Sequence, residues 1–81
     1  MSARLNAFRS YKSHAWLKKA YAKLKAPEVA VAEAFIAKND SLPKGAFELA
    51  INRMFIDVSE KPKNYTVILE LLTCANSSIE A

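Results

Sequence analysis

The chain has 81 residues with 52% apolar types, a formal net charge of +4, one glycine and one cysteine. That length suits a single domain over residues 1–81. It excludes an internal disulfide, a cysteine-rich zinc site and a glycine-rich phosphate loop, which needs at least two glycines. Fourteen alanines and the scarcity of turn formers point to helices rather than to small β architecture. The lone cysteine fits a reducing compartment such as the cytoplasm. No apolar run approaches the ~20 residues that span a membrane, and no secretory leader is read at the N-terminus.

The charge is divided unevenly. Residues 1–26 carry Arg4, Arg9, Lys12, Lys18, Lys19, Lys23 and Lys25 and no acidic residue. Residues 27–81 carry all eight acids against five bases. Such an asymmetry suggests that one end meets something anionic. It also has the composition of a mitochondrial import leader, which is basic, acid-free and contains Ser and Ala. The bland explanation is a solvated basic helix pairing with the acidic remainder of its own chain.

In chain order, the first helix is read over residues 3–25, broken near Lys12 and Ser13. Leu5, Phe8 and Tyr11 form one apolar stripe. Leu17, Ala20, Tyr21 and Leu24 form another, and the two do not share a face at 100° per residue. Ser13 has the chemistry to cap the second piece. Pro27 and Glu28 then open a second helix to about Lys38, apolar nearly all round. Asn39, Asp40 and Ser41 end it with turn chemistry.

Pro43 opens a third helix, capped by Asp40 or Ser41, with a stripe of Phe47, Ala50, Ile51, Met54, Phe55 and Val58. Residues 59–64 read as a linker. Asn64 caps a last helix running to about Ser78. Its faces are Tyr65, Ile68, Leu72, Ala75 and Ile79 on one side and Val67, Leu71 and Cys74 on the other. The result is an all-α, four-helix, bundle-like domain. The competing pattern is a C-terminal β-hairpin at about 55–69, where β-branched and aromatic residues flank a Pro-containing loop.

Chemistry is sparse. His14 and Cys74 are the only nucleophile–base candidates, and no third group near either is placed to orient them. Glu28 and Glu33 diverge on their helix, and Asp57 and Glu60 border an exposed linker, so paired-carboxylate chemistry is not indicated. No metal or other cofactor is indicated. A helix-turn-helix over residues 27–57 is a poor fit. Its second helix offers only Lys44, Asn52 and Arg53 against Glu48 and Asp57.

What remains is binding. Aromatic residues interleave with bases in the N-terminal segment, and Trp16 lies off its helix's stripe, as an interface anchor does. The alternative for Trp16 is to fill the gap between the helix break and the bundle. We expect a non-enzymatic binding or regulatory module with Arg9, Lys12, Trp16, Lys18, Lys19 and Lys23 as contacts. The partner expected first is an acidic protein surface. The alternative is DNA or RNA, where rings stack on bases and cations meet phosphates. Apolar residues off the main stripes, Leu49, Ile56, Val67 and Leu71, mark a possible homodimer interface.

Overall fold

The computed structural model describes residues 2–79. It is all-helical, with five helices: α1 (Ala3–Ser10), α2 (Lys18–Ala22), α3 (Ala26–Asn39), α4 (Lys44–Arg53) and α5 (Tyr65–Ser77). The all-α expectation holds. Among the described residues there is no strand, so the hairpin at 55–69 does not form. The count rises from four to five because the break in the first helix is seven residues wide, from Tyr11 to Leu17.

Local chemistry explains most helix ends. Ser2 caps α1, its Oγ accepting the Leu5 N–H at 3.0 Å. At the other end, Ser10 Oγ donates to the Ala7 carbonyl at 2.6 Å and Ser13 Oγ to the Ser10 carbonyl at 3.3 Å. Such local bonds compete with helix continuation. Ser13 is therefore not the cap expected of it, and α2 starts at Lys18 with no side-chain cap. Pro27 lies in the first turn of α3, where its missing N–H costs nothing.

Three other expectations at the caps need correction. The residue preceding α4 is Pro43 rather than Asp40 or Ser41, because the Asp40 side chain is engaged with Ser2 and Arg4. The helical stripe expected to run to Val58 stops as helix at Arg53 and continues as tighter turns through Asp57. Asn64 does precede α5 but makes no capping bond. Its amide instead donates to the Lys23 carbonyl at 2.8 Å and to Glu28 Oε1 at 3.3 Å. That tie fastens the 59–64 linker to the end of α2.

α5 is the central element, packing against all four other helices. Ile68, Leu71, Leu72 and Ala75 are fully buried on it. They meet Phe8 from α1, Ile36 from α3 and Phe47 and Ile51 from α4 in one core. A helix surrounded in this way must be apolar on more than one face. Leu71 therefore belongs to the core, and Val67 and Cys74 are partly buried against it.

The feature least visible in the sequence is Arg4, only 3% exposed. Its Nε donates to Asn76 Oδ1 at 3.1 Å, and its two terminal nitrogens donate to the carbonyls of Asp40 at 3.1 Å and Leu42 at 2.8 Å. The guanidinium also lies 4.1 Å from the centre of the Phe47 ring and 3.6 Å from the Asp40 carboxylate. Asn76 passes the contact on, donating to the Lys44 carbonyl at 3.0 Å. One planar fork thus joins α1, the α3–α4 turn and α5. Its donors match three fixed acceptors, which an ammonium could not do.

Candidate functional site

The basic segment looks different once folded. Arg4 is withdrawn into the interior. Arg9 remains on the surface but is paired, its Nε 3.4 Å from Glu33 Oε2 on α3 and a terminal nitrogen 3.4 Å from Oε1. To that extent the basic helix does pair with the acidic remainder of its own chain. Arg4 is therefore committed to the interior, and Arg9 to an ion pair on the surface. The exposed cations left in the segment are Lys12, Lys18, Lys19, Lys23 and Lys25, and none makes an ion pair among the described residues.

These lysines flank Trp16 in the sequence. The indole is 88% exposed, the most open large apolar side chain described. It does not fill the gap between the helix break and the bundle. The turns that carry it are held from within: Tyr11 is buried, and the His14 imidazole meets the Tyr11 ring edge-on at 5.9 Å between centroids. His14 Nδ1 accepts the Trp16 N–H at 3.2 Å, and the two rings stand edge to face at 6.4 Å. The backbone beneath the indole is ordered by these contacts while the ring itself faces water.

α2 continues the surface by helical periodicity. Leu17, Ala20 and Tyr21 pack against the core and Leu24 is buried in it, so Lys18, Lys19, Ala22 and Lys23 face outward. Lys19 and Lys23 are one turn apart on the same side. Of the expected contact set, Lys12, Trp16, Lys18, Lys19 and Lys23 are each exposed, and Arg9 is in an ion pair with Glu33; residues 12–25 are called the arc below. Lys25 is exposed as well, and its charge helps to lower the Glu28 carboxylate. Its sequence signal is its place in the acid-free stretch.

Phe8 and Tyr21, which interleave with the bases in sequence, are core or near-core side chains in contact at 5.3 Å. Trp16 is the one aromatic ring of the segment that is fully presented to solvent.

The proposed oligomer patch divides. Leu49 and Ile56 are 60% and 67% exposed, as an interface would require. Val67 is partly buried and Leu71 is inaccessible, so neither adds to that surface. Val58, expected in the third helix's apolar stripe, is exposed, as is Val31 on α3.

The remaining polar groups have local uses. The Glu28 carboxylate is held below its ordinary range, chiefly by the Lys25 backbone N–H and further by the side chain and backbone N–H of Asn64. Burial, and secondarily Glu70, raises the Cys74 thiol above its ordinary value. No hydrogen bond joins Cys74 to His14, whose Nδ1 is occupied by Trp16. Lys44, a helix-turn-helix candidate, turns inward to the Ile79 carbonyl at 3.3 Å. Among the described residues no three His, Cys, Asp or Glu side chains converge, and no cavity opens.

Comparison with known proteins adds no functional assignment. No protein-family model matches the chain, and no curated protein or solved structure matches it either.

Proposed function

We propose that this protein is a non-enzymatic binding module that docks through the arc of residues 12–25 on an anionic partner. The observation that carries this reading is Trp16, 88% exposed among five lysines without a carboxylate in the same stretch. A bare indole is a large apolar area kept in water, and Trp is enriched where interfaces concentrate their energy. Unpaired lysines keep their full charge for an external anion. The supporting arrangement is one-sided: apolar residues tie α2 to α5, while its cations face out.

Both partners expected from the sequence, an acidic protein surface and a nucleic acid, present the anionic charge this arc would meet. The test is retention on immobilised heparin and on polyglutamate, comparing the wild type with a Lys18→Glu/Lys19→Glu/Lys23→Glu variant. The expected result is salt-sensitive retention of the wild type on both supports and loss in the variant, since exposed charge contacts are screened at high ionic strength. Equal elution of the two proteins would refute the reading.

A further inference from the structure

We infer that the anionic partner is a phospholipid surface, on which the Trp16 turn inserts at headgroup depth while the flanking lysines bind the anionic headgroups. This rests on the docking arc proposed above and names the chemistry of its target. Four observations converge on it.

The first is the absence of arginine from the unpaired exposed cations of the segment. Arg4 is buried and Arg9 is paired with Glu33, so every free cation of the arc is a lysine. Arginine is the residue enriched at protein interfaces, and lysine is depleted there. An ammonium on a flexible stem makes no planar, bidentate match with a particular carboxylate. It is suited to a field of mobile headgroup charges, where each lysine near the surface adds to the attraction.

The second is presentation. Trp16 lies in a turn and is 88% exposed, and no cavity opens among the described residues. A ring held open in this way can enter a soft surface and does not enclose a ligand.

The third is the count of available rings. Single-stranded nucleic acid is held by successive bases stacking on several aromatic side chains. Phe8 and Tyr11 are buried and Tyr21 packs on the core, which leaves Trp16 with the exposed His14 imidazole set edge-on to it, not a series of stacking platforms.

The fourth is the identity of that ring and its neighbours. Trp is the residue that settles at the membrane–water interface, with its ring among the headgroups. Ala15, the residue before it, is exposed and small, and lysines near an apolar tip can lay their stems along it and keep their charge in water. No helix of the described residues is long and apolar enough to cross a membrane.

The full chain is the reagent, and it carries a built-in reporter, because Trp16 is its sole tryptophan. Vesicles of phosphatidylcholine alone are compared with vesicles containing about one-third phosphatidylserine. The expected result is co-sedimentation and a blue-shifted Trp16 emission on the anionic vesicles only. Lipids brominated in the acyl chain should quench that emission. Trp16→Ala, read by sedimentation, should bind about tenfold more weakly, the effect of losing one partly inserted large side chain. Trp16→Phe should recover part of it. Lys18→Glu/Lys19→Glu/Lys23→Glu should reduce binding by more than a hundredfold, at about fivefold for each charge removed. All these side chains are exposed, so far-UV circular dichroism should be unchanged.

Absence of binding to anionic vesicles, with retention on heparin and polyglutamate intact, overturns the lipid assignment and leaves the anionic docking arc standing, with an acidic protein or nucleic acid as its target. Sedimentation without a Trp16 shift or quenching also overturns it, because the contact would then be charge alone. Loss of retention on every support overturns both.

Discussion

Arg4 and Arg9 lie five residues apart and read alike in the sequence, yet the structure gives them opposite roles. Replacing each by alanine should separate them by several kcal/mol. Arg9 is an exposed partner of Glu33 at 3.4 Å. Such pairs contribute about 0.2–1 kcal/mol. Arg4 is 3% exposed and donates three hydrogen bonds of 2.8–3.1 Å. Hydrogen bonds to a charged group contribute about 1.5–3 kcal/mol each, and the cost of desolvating the guanidinium offsets part of their sum.

Truncation also strands acceptors. Asn76 Oδ1 is buried, whereas Asp40 is partly open and regains water. The expected loss for Arg4→Ala is therefore about 3–5 kcal/mol, as for a buried charge pair broken from one side. An 81-residue domain has only about 4–12 kcal/mol in total. The variant should thus be largely unfolded or close to it at room temperature.

Arg4→Lys keeps the charge but loses the fork, and should fall between the two. Urea unfolding followed by far-UV circular dichroism is the assay. Trp16 fluorescence is a poor probe of unfolding, because the indole is already 88% exposed in the folded state. With a slope near 1 kcal/mol per molar urea, the Arg4→Ala midpoint should drop by about 3 M or more. An Arg4→Ala variant within about 1 kcal/mol of Arg9→Ala would refute the reasoning, because the two sites would then be energetically alike.

Four further outcomes are expected. Leu71→Ala should cost about 2–5 kcal/mol by leaving a cavity in the core, while Leu49→Ala should change stability by less than about 0.5 kcal/mol; urea midpoints measure both. Trp16→Ala should melt within a degree or two of the wild type, so a large fall in its calorimetric midpoint would mean that the indole is structural after all. Glu28, depressed by the Lys25 N–H and by Asn64, contributes stability that is present above its ordinary value of 4.5 and lost as pH falls through its lower folded value. Glu28→Gln should accordingly flatten the acid limb of the stability–pH curve measured by urea unfolding. Cys74, with its thiol raised by burial, should react with a thiol-specific disulfide reagent at neutral pH more slowly than an unfolded-chain cysteine does, and should speed up in urea.

The helical class was legible because periodicity is strong where it counts. The stripes through Phe47 and Ile51, and through Ile68, Leu72 and Ala75, are the buried core. The break in the first helix was legible too, since two stripes that do not share a face cannot belong to one straight helix. Its width was not. A hydroxyl bonding three residues back, as Ser10 and Ser13 do, leaves no distinctive pattern. The end of α4 at Arg53 was hidden for a related reason: tight turns through residues 54–57 keep Phe55 in the core while the helix itself has stopped. Leu71 was misplaced because a second apolar edge marks either an exposed patch or a helix enclosed on several sides. The choice depends on how many neighbours surround α5, which is a property of the assembled fold.

The charge reading shows the same limit in its sharpest form. A sequence counts seven cations in the first 26 residues, but charge acts on a partner only where it is uncompensated and exposed. Arg4 is compensated by carbonyls and by an amide oxygen 72 residues away, and Arg9 by a carboxylate 24 residues away. Neither distance is local, so no pattern within the segment could have identified them. Removing these two changes the character of the surface as well as its charge. One guanidinium serves the interior and the other a surface ion pair, and the unpaired exposed cations of the segment are all ammonium groups. Ammonium groups on flexible stems suit a field of charge more than one planar anion, and that is the physical reason the vesicle experiment tests the proposal most directly.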